Sequence, residues 1–511
     1  MARFNAIKTS TSKTENLAGG QAYRMSHEAE LVNILLNCFL DDQFYRSAED
    51  TMKRIVKLLI PVNPEFVAKA AVYARREFGL RSVTHFIAAE MVAAASGKAW
   101  GAKFYDRIVR RPDDMLEIMA AFRAIGSLNP TNAMKKGFAK AFDRFDSYQL
   151  AKYRGVNREI KLVDIVNLVH PKPTIKNVKA LKALMADELR NTKTWEAMLT
   201  KAGQSAENEV QKTEMNAEAW RSLLSEGRLG YLALLRNLRN ILNADVKLIP
   251  LAAEALTNEA AIRGSLVMPF QIFTAYKVVE EFLLASNKSD LKMRKKRKVK
   301  RPDTRIILLR AIGKAMEISL SNVPKFDGKT LVVLDDSGSM TCQMRKNYSS
   351  RTCIEIGALF AAALVHANDA DLMRFSDNAS YVKAHVKRGY GKFVKLVKYL
   401  IQNARSGGTN FHSIFQCANQ AYRRIIILSD MQGWVGSDAP NATFEEYRRT
   451  HKASPYVYSF DLTGYGTIQL PDNKTFLMAG FSDKIFDVMK HMETDRISMV
   501  KMIKNLSWDE L

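Results

Sequence analysis

The feature that most constrains this chain is a change of hydrophobic period near residue 325. Before it, apolar residues recur at three- and four-residue spacing in HEAELVNILLNCFL (27–40), AEDTMKRIVKLLI (48–60), PEFVAKAAVYARREFGL (64–80) and SVTHFIAAEMVAAAS (82–96). The pattern continues in RPDDMLEIMAAFRAIGS (111–127), TNAMKKGFAKAFDRF (131–145) and NREIKLVDIVNLVH (157–170). It resumes in YLALLRNLRNIL (231–242), VMPFQIFTAYKVVEEFLLAS (267–286) and DTRIILLRAIGKAMEISLS (303–321). That spacing predicts helices. Pro64 and Pro112 suit first helical turns, and Gly79, Gly97 and Gly126 suit helix ends. Helices this short cannot bury their apolar faces alone, so stacking into a HEAT-like solenoid is expected. No crisp repeat motif recurs, which leaves an irregular globular helical domain as the alternative.

After residue 325 short runs apolar on both faces take over: KTLVVLDDSGSM (329–340), ADLMRFS (370–376), RRIIILSD (423–430) and PYVYSFDL (455–462). They alternate with helical TCIEIGALFAAALVHAN (352–368), KFVKLVKYLIQNA (392–404) and HSIFQCANQAY (412–422). That alternation predicts a doubly wound, Rossmann-like parallel sheet. The expected units are an all-α helical-repeat domain over 20–325, following a polar lead, and an α/β domain over 326–511.

Charge divides the same way. Of 77 Lys plus Arg and 53 Asp plus Glu, residues 326–511 hold 23 and 19, so 54 and 34 fall in the first 325 residues. Nearly all of the net +24 therefore belongs to the helical part. An excess of this size favours a polyanionic partner without separating RNA, DNA and an anionic membrane surface. No apolar stretch approaches the ~18 residues of a membrane span, and the polar N-terminus lacks the apolar region of a secretory signal. Cysteines 38, 342, 353 and 417 form neither a CxxC pair nor a disulfide framework, so free thiols in a reducing cytoplasm are expected.

Where the first strand of the second unit stops, Asp335, Ser337 and Ser339 occupy alternate positions of an extended turn. Gly407-Gly408-Thr409-Asn410 forms a second oxygen-bearing loop, and Asp430 ends the strand IIILSD. Ligands of open α/β sheets bind at such strand ends, and these hard oxygen donors suit Mg²⁺, Mn²⁺ or Ca²⁺. The order DDSGSM, GGTN, LSD resembles the metal-ion-dependent adhesion site of von Willebrand factor A domains. The resemblance implies one divalent cation, Mg²⁺ foremost, held directly or through water by Asp335, Ser337, Ser339, Thr409 and Asp430. It also implies one open position for a partner's carboxylate. A vestigial site held by hydrogen bonds alone is the competing reading, and Asp336 is expected to point elsewhere.

In the helical part, YRGVNREIKLVDIVNLVHPKP (153–173), YLALLRNLRNI (231–241), MPFQIFTAY (268–276) and the approach 301–340 resemble the TROVE module of the Ro 60 kDa autoantigen family and its bacterial relatives. The resemblance covers about 20–505. It implies a ring of HEAT-like hairpins closed by the A domain. Small structured Y-like RNA would bind outside the ring, and single-stranded 3′ ends of misfolded RNA would enter the hole. The implied protein is monomeric and acts in RNA quality control, with an exoribonuclease or another protein that donates an acidic residue to the metal site as its expected protein partner. His170 matches the family's histidine, and Lys152, Arg154 and Arg158 align with the basic cluster before it. Lys172 is a companion, and Tyr153 beside Arg154 could stack a base or simply pack in the core.

A second candidate surface is Arg228, Arg236 and Arg239, the last two sharing a helical face. The densest charge, Lys292, Arg294, Lys295, Lys296, Arg297, Lys298, Lys300 and Arg301, reads as a nucleic-acid clamp, a solvated linker, or a nuclear-import signal in a nucleated cell. No HExxH, GxSxG or P-loop motif occurs, so no enzyme is expected. The alternative function is a metal-dependent protein adhesion or assembly module with incidental nucleic-acid binding.

Overall fold

The computed structural model describes residues 13–16, 19–24, 26–37, 48–127, 129–189, 195–204, 208–227, 229–265, 267–293, 304–323, 325–341, 343–345, 349–368, 370–383, 393–435, 440–463, 467–470, 474–478, 489, 493 and 499–511. From His27–Asn37 to Thr304–Ser319 the described regular elements are all helices. Local chemistry sets their ends. Asn63 accepts from the N–H groups of Glu65 and Phe66, with Pro64 in the first turn, and Asp146 with Gln149 forms a capping box. Gly79 and Gly126 lie past helix ends at φ 68° and 81°, backbone that a side chain disfavours.

Several expected helices are shorter than their apolar patterns; the 412–422 segment, for one, is helical only over Phe411–Cys417. The 82–96 segment breaks at Met91 into Ser82–Glu90 and Val92–Ala95. The 157–170 segment is helical only over Leu162–Val169, because Gly155 at φ 73° turns the chain and Asp164 accepts from the Lys161 N–H at 2.8 Å, fixing the start. Packing is local along the chain. Gly101–Ile108 lies on Asn132–Ala141, Ser82–Glu90 on Pro112–Ala124, and Pro269–Met293 on Thr304–Ser319, the stacking a helical-repeat array requires.

The strands are β1 (Lys13–Glu15), β2 (Gln21–Arg24), β3 (Thr330–Asp335), β4 (Gln343–Arg345), β5 (Ser349–Thr352), β6 (Ala370–Phe375), β7 (Ala379–Tyr381), β8 (Arg424–Ser429), β9 (Tyr456–Asp461), β10 (Thr467–Ile468) and β11 (Thr475–Met478). The main sheet runs β11-β9-β8-β3-β6-β7, parallel except for β7, which pairs antiparallel with β6. The sheet is therefore mixed at one edge, a correction to the all-parallel expectation; β7 is too short to carry a period. Side chains alternate between two cores. Val332, Leu334, Ile426 and Leu428 join the apolar cluster of the helical array, whereas Leu331, Val333, Ile425 and Ile427 fill a second cluster on the opposite face.

The described residues between 13 and 24 do not form a separate lead. β1 and β2 make a hairpin, and β2 pairs antiparallel with β10, so residues 13–24 belong to the α/β unit. A boundary at residue 20 cuts through that hairpin.

The two units meet at both ends of the array. Near residue 270, Phe270 stacks on Phe360 with centroids 5.1 Å apart, and Lys277 and Lys398 ion-pair with Glu355 and Glu280 at 2.5 and 2.6 Å. At the opposite end, helix Met499–Asn505 packs on His27–Asn37 and Pro64–Glu77. Trp508 stacks on Trp100 at 6.1 Å and 6°, and its Nε1 donates to Glu65 Oε1 at 2.9 Å. Array and α/β unit thus close a circuit of contacts, as a ring demands.

Candidate metal centre and nucleic-acid interface

The strand-end residues converge. Asp335 ends β3 fully buried; its Oδ1 accepts from the Ser337 N–H at 2.9 Å and its Oδ2 from the Ser429 hydroxyl at 2.5 Å. The Ser337 and Ser339 hydroxyl oxygens lie 3.5 Å apart. The Gly338 N–H donates to the Gly407 carbonyl at 3.0 Å, which brings the Gly407–Thr409 loop against the serine turn, with Thr409 buried. Asp430, also buried, is hydrogen-bonded by Ser339 and accepts from the Gln432 N–H at 3.2 Å. Burial, then the charge of Asp430, pushes the Asp335 carboxyl above its ordinary range, and burial does the same to Asp430.

Two buried carboxylates and two converging hydroxyls fit a hard divalent cation, which would offset the repulsion that burial amplifies. Among the described residues no group of three His, Cys, Asp or Glu could hold a metal, so a cation here needs the hydroxyls. Asp336 indeed points elsewhere: Arg405 binds it through Nε and Nη2 at 2.9–3.1 Å, and Arg374 approaches to 3.6 Å.

The expected RNA residues split into exposed and engaged groups. His170 is the left-handed C-cap of helix Leu162–Val169 at φ 46°, its N–H donating to the Val166 carbonyl at 2.9 Å. Its exposed side chain lines a groove of about 620 Å³ with Val166, Asn167, Pro171, Val178 and Met185. Lys172 beside it is exposed. Lys152 lies over the rings of Tyr148 and Tyr153 at 5.8 and 5.9 Å. Arg154 donates to the Leu189 carbonyl and Arg158 ion-pairs with Glu117, so both are anchored to the protein itself. Arg236 and Arg239 are exposed on helix Tyr231–Ala244, while Asn237 is buried and donates to the Ala233 carbonyl at 2.9 Å. Arg228 and the run Arg294, Lys295, Lys296, Arg297 and Lys298 lie outside the described residues.

Residues 25–215 and 188–319 match the TROVE domain, and residues 329–492 match the Ro60 vWA domain. The chain belongs to the Ro60 family. Telomerase protein component 1 of Rattus norvegicus is 21% identical over 365 residues, and that of Mus musculus 19% over 330. Those matches cover 53% and 49% of this Ro60-family chain but only 14% and 13% of the relatives, so the chain spans a small part of their length. The crystal structure of Deinococcus radiodurans RO (RSR) protein has a TM-score of 0.59 at 18% identity, covering 92% of this chain and 100% of that one; at this identity the likeness establishes the fold. Membership in the Ro60 family implies that the chain binds RNA.

Sequence reading missed several residues at the strand-end face of this Ro60-family chain. Asp461 ends β9 next to Asp430, buried, with its Oδ2 accepting from Asn33 at 2.8 Å. The strand-end rule that selected Asp335 and Asp430 would have found it in SFDL. Asp377 packs against Gly407 and Gly408, its Oδ1 accepting the Gly408 N–H at 2.8 Å; a Cβ at either glycine would collide with it. Trp434, 54% exposed, lies against Gly408, and its backbone N–H donates to the Thr409 carbonyl. No local pattern marks either contact, because the partners are distant in sequence.

Proposed function

We propose that this protein is a ribonucleoprotein component that binds small structured, Y-like RNA on the outer face of its helical ring. Single-stranded 3′ ends of misfolded RNA enter the ring's opening, in RNA quality control. The observation that carries this reading is the exposed His170 and Lys172, with half-buried Lys152 over the rings of Tyr148 and Tyr153, on an array that holds nearly all the excess charge. An imidazole and ammonium groups bind phosphate, and Tyr148 and Tyr153 offer faces to unpaired bases. The protein acts as a cytoplasmic, monomeric binder and not as a catalyst.

The A domain holds one divalent cation, Mg²⁺ foremost, through Asp335, Ser337, Ser339, Thr409 and Asp430. The cation would offer a Lewis-acid position for a carboxylate of an exoribonuclease or another protein. The exposed indole of Trp434 beside the ligand loops favours a protein partner at that face. Crosslinking in the source cells followed by sequencing of bound RNA tests the proposal. Recovery of one abundant small structured RNA supports it, and recovery of no RNA above a mock control refutes it.

A further inference from the structure

Helices Ala48–Leu59, Ser82–Glu90 and Pro112–Ala124 line a groove of about 1040 Å³ in the helical array. Its walls are mostly apolar. Met52 and Val56 come from the first of these helices, Phe86 from the second, and Ala121, Ala124 and Ile125 from the third and its end. The alanines leave room that larger side chains would fill. Val56 and Ile125, each 37% exposed, keep apolar surface open to water at the rim. Most rim charges are already matched within the protein: Lys53 pairs with Glu49, Arg81 with Asp113 and Glu117 with Arg158.

One buried polar ring joins this apolar lining. His85 is only 4% exposed, and its Nε2 lies 3.0 Å from Asp114 Oδ1. Asp114, fully buried, also accepts from Arg75 Nη2 at 2.8 and 2.9 Å and from the N–H groups of Arg110 and Arg111, each at 2.9 Å. So many donors keep Asp114 an ionised acceptor, and the imidazole hydrogen therefore sits on Nε2. Burial, the largest influence, holds the His85 pKa below its ordinary range despite Asp114, so the ring is neutral at pH 7. Nδ1 is then an oriented lone-pair acceptor, and it has no hydrogen-bond partner among the described residues. It is not sealed off within the protein, so a donor reaches it from the groove that the ring lines. An acceptor this deep in apolar surface calls for a partner, and a water held there by one bond is easily displaced.

We propose that this groove binds a small aromatic compound carrying a hydroxyl or ring N–H, its rings against Val56, Phe86 and Ala121 and its donor on His85 Nδ1. Small-molecule sites pair a large apolar wall with a few fixed polar groups, as here. The site is separate from the RNA-binding reading and does not rest on it. The test uses the full chain, with 6-hydroxy-2-naphthoate and its methyl ether, 6-methoxy-2-naphthoate, as fluorescent probes in equilibrium dialysis. The hydroxyl probe should bind more tightly than about 1 mM, and about five- to tenfold more tightly than the ether, which cannot donate. Ala121→Phe, which fills the groove, should weaken both probes by about tenfold or more. His85→Phe should abolish the preference for the hydroxyl; if that variant melts early, the probe pair on the parent and on Ala121→Phe carries the test. Equal affinity of the parent for the two probes overturns the proposal, as does undiminished binding to folded Ala121→Phe. Displacement of the bound probe by a uridine 12-mer would make the groove part of the RNA surface and also overturn it.

Discussion

Trp508→Ala removes the indole that joins the C-terminal segment to the helical array, and the structure sets the size of the loss. The side chain is 9% exposed, lies 6.1 Å and 6° from Trp100, and donates Nε1 to Glu65 at 2.9 Å. Truncating a buried aromatic to Ala costs about 3–5 kcal/mol, a figure that includes about 0.5–1.5 kcal/mol of ring stacking. The hydrogen bond adds less than about 1 kcal/mol, because the Glu65 side chain is 42% exposed and water replaces the donor. The expected loss is about 4 kcal/mol at this junction. A chain of two units need not unfold in one step, so the loss belongs to local opening and a single melting temperature would dilute it. Hydrogen exchange reads it directly, at the Leu506 and Leu511 amides that donate to the Met502 and Ser507 carbonyls. At about 1.4 kcal/mol per decade, protection over 499–511 should fall by roughly three decades in W508A. W508F, which keeps a ring on Trp100, should lose about one. Unchanged exchange over 499–511 in W508A would show that closure rests elsewhere, for instance on the Lys504–Glu28 pair at 2.6 Å.

Asp335→Ala should abolish Mg²⁺ and Mn²⁺ binding by calorimetry while RNA affinity is kept; unchanged metal affinity removes this residue from the centre. Burial holds the His85 imidazole below its ordinary range despite Asp114 at 3.0 Å, so the unfolded chain gains a proton that the folded chain refuses as pH falls through about 6.5. Stability of the array should therefore decline below that pH, and less so in His85→Gln; equal pH dependence of melting in the two proteins contradicts the assignment. Burial alone would raise Asp114, but His85 and Arg75 hold it well below the carboxylate range, so its contribution is present above about pH 4 and is lost only at lower pH. His170→Ala and Lys172→Ala should each lose about 1–3 kcal/mol for the preferred structured RNA in filter binding and less for random RNA. Parental affinity in the double variant would mean that the RNA surface lies elsewhere.

What was legible in the sequence followed from local rules. Helical period, the apolar strand runs and the proline and glycine boundaries placed most elements, since each depends on neighbours within about four residues. The three oxygen-bearing loops were visible because strand ends declare themselves. What escaped depends on distant partners. β7 and β11 are three and four residues long and stand only because β6 and β9 pair with them. The arginines 76, 107, 110 and 144 come together from stretches up to 68 residues apart, so a search for basic clusters along the chain passes over their grouping. Conversely Arg154 and Arg158, conspicuous in sequence, are tied to Leu189 and Glu117.

The same long-range logic makes the strand-end face around Asp430 depend on residues 16–33. Asn16 donates to the Gly433 carbonyl at 2.5 Å, and Gly20 packs so closely on Gly433 that a side chain there would collide with backbone. Gln469, beside β10, donates to the Met431 carbonyl at 3.1 Å, and Asn33 donates to Asp461. The loop that begins with Asp430 is therefore held from outside the sheet by residues 16, 20 and 469, and the neighbouring carboxylate is held by the first helix of the array. Each bond orients a group whose burial makes an unpartnered state costly, so removing the N-terminal segment leaves Asp461 short of a donor and β10 without its pairing strand. The oxygen-bearing strand-end loops and the helical array are consequently parts of one closed structure, and a displacement of the first helix reaches Asp461 through a single 2.8 Å hydrogen bond.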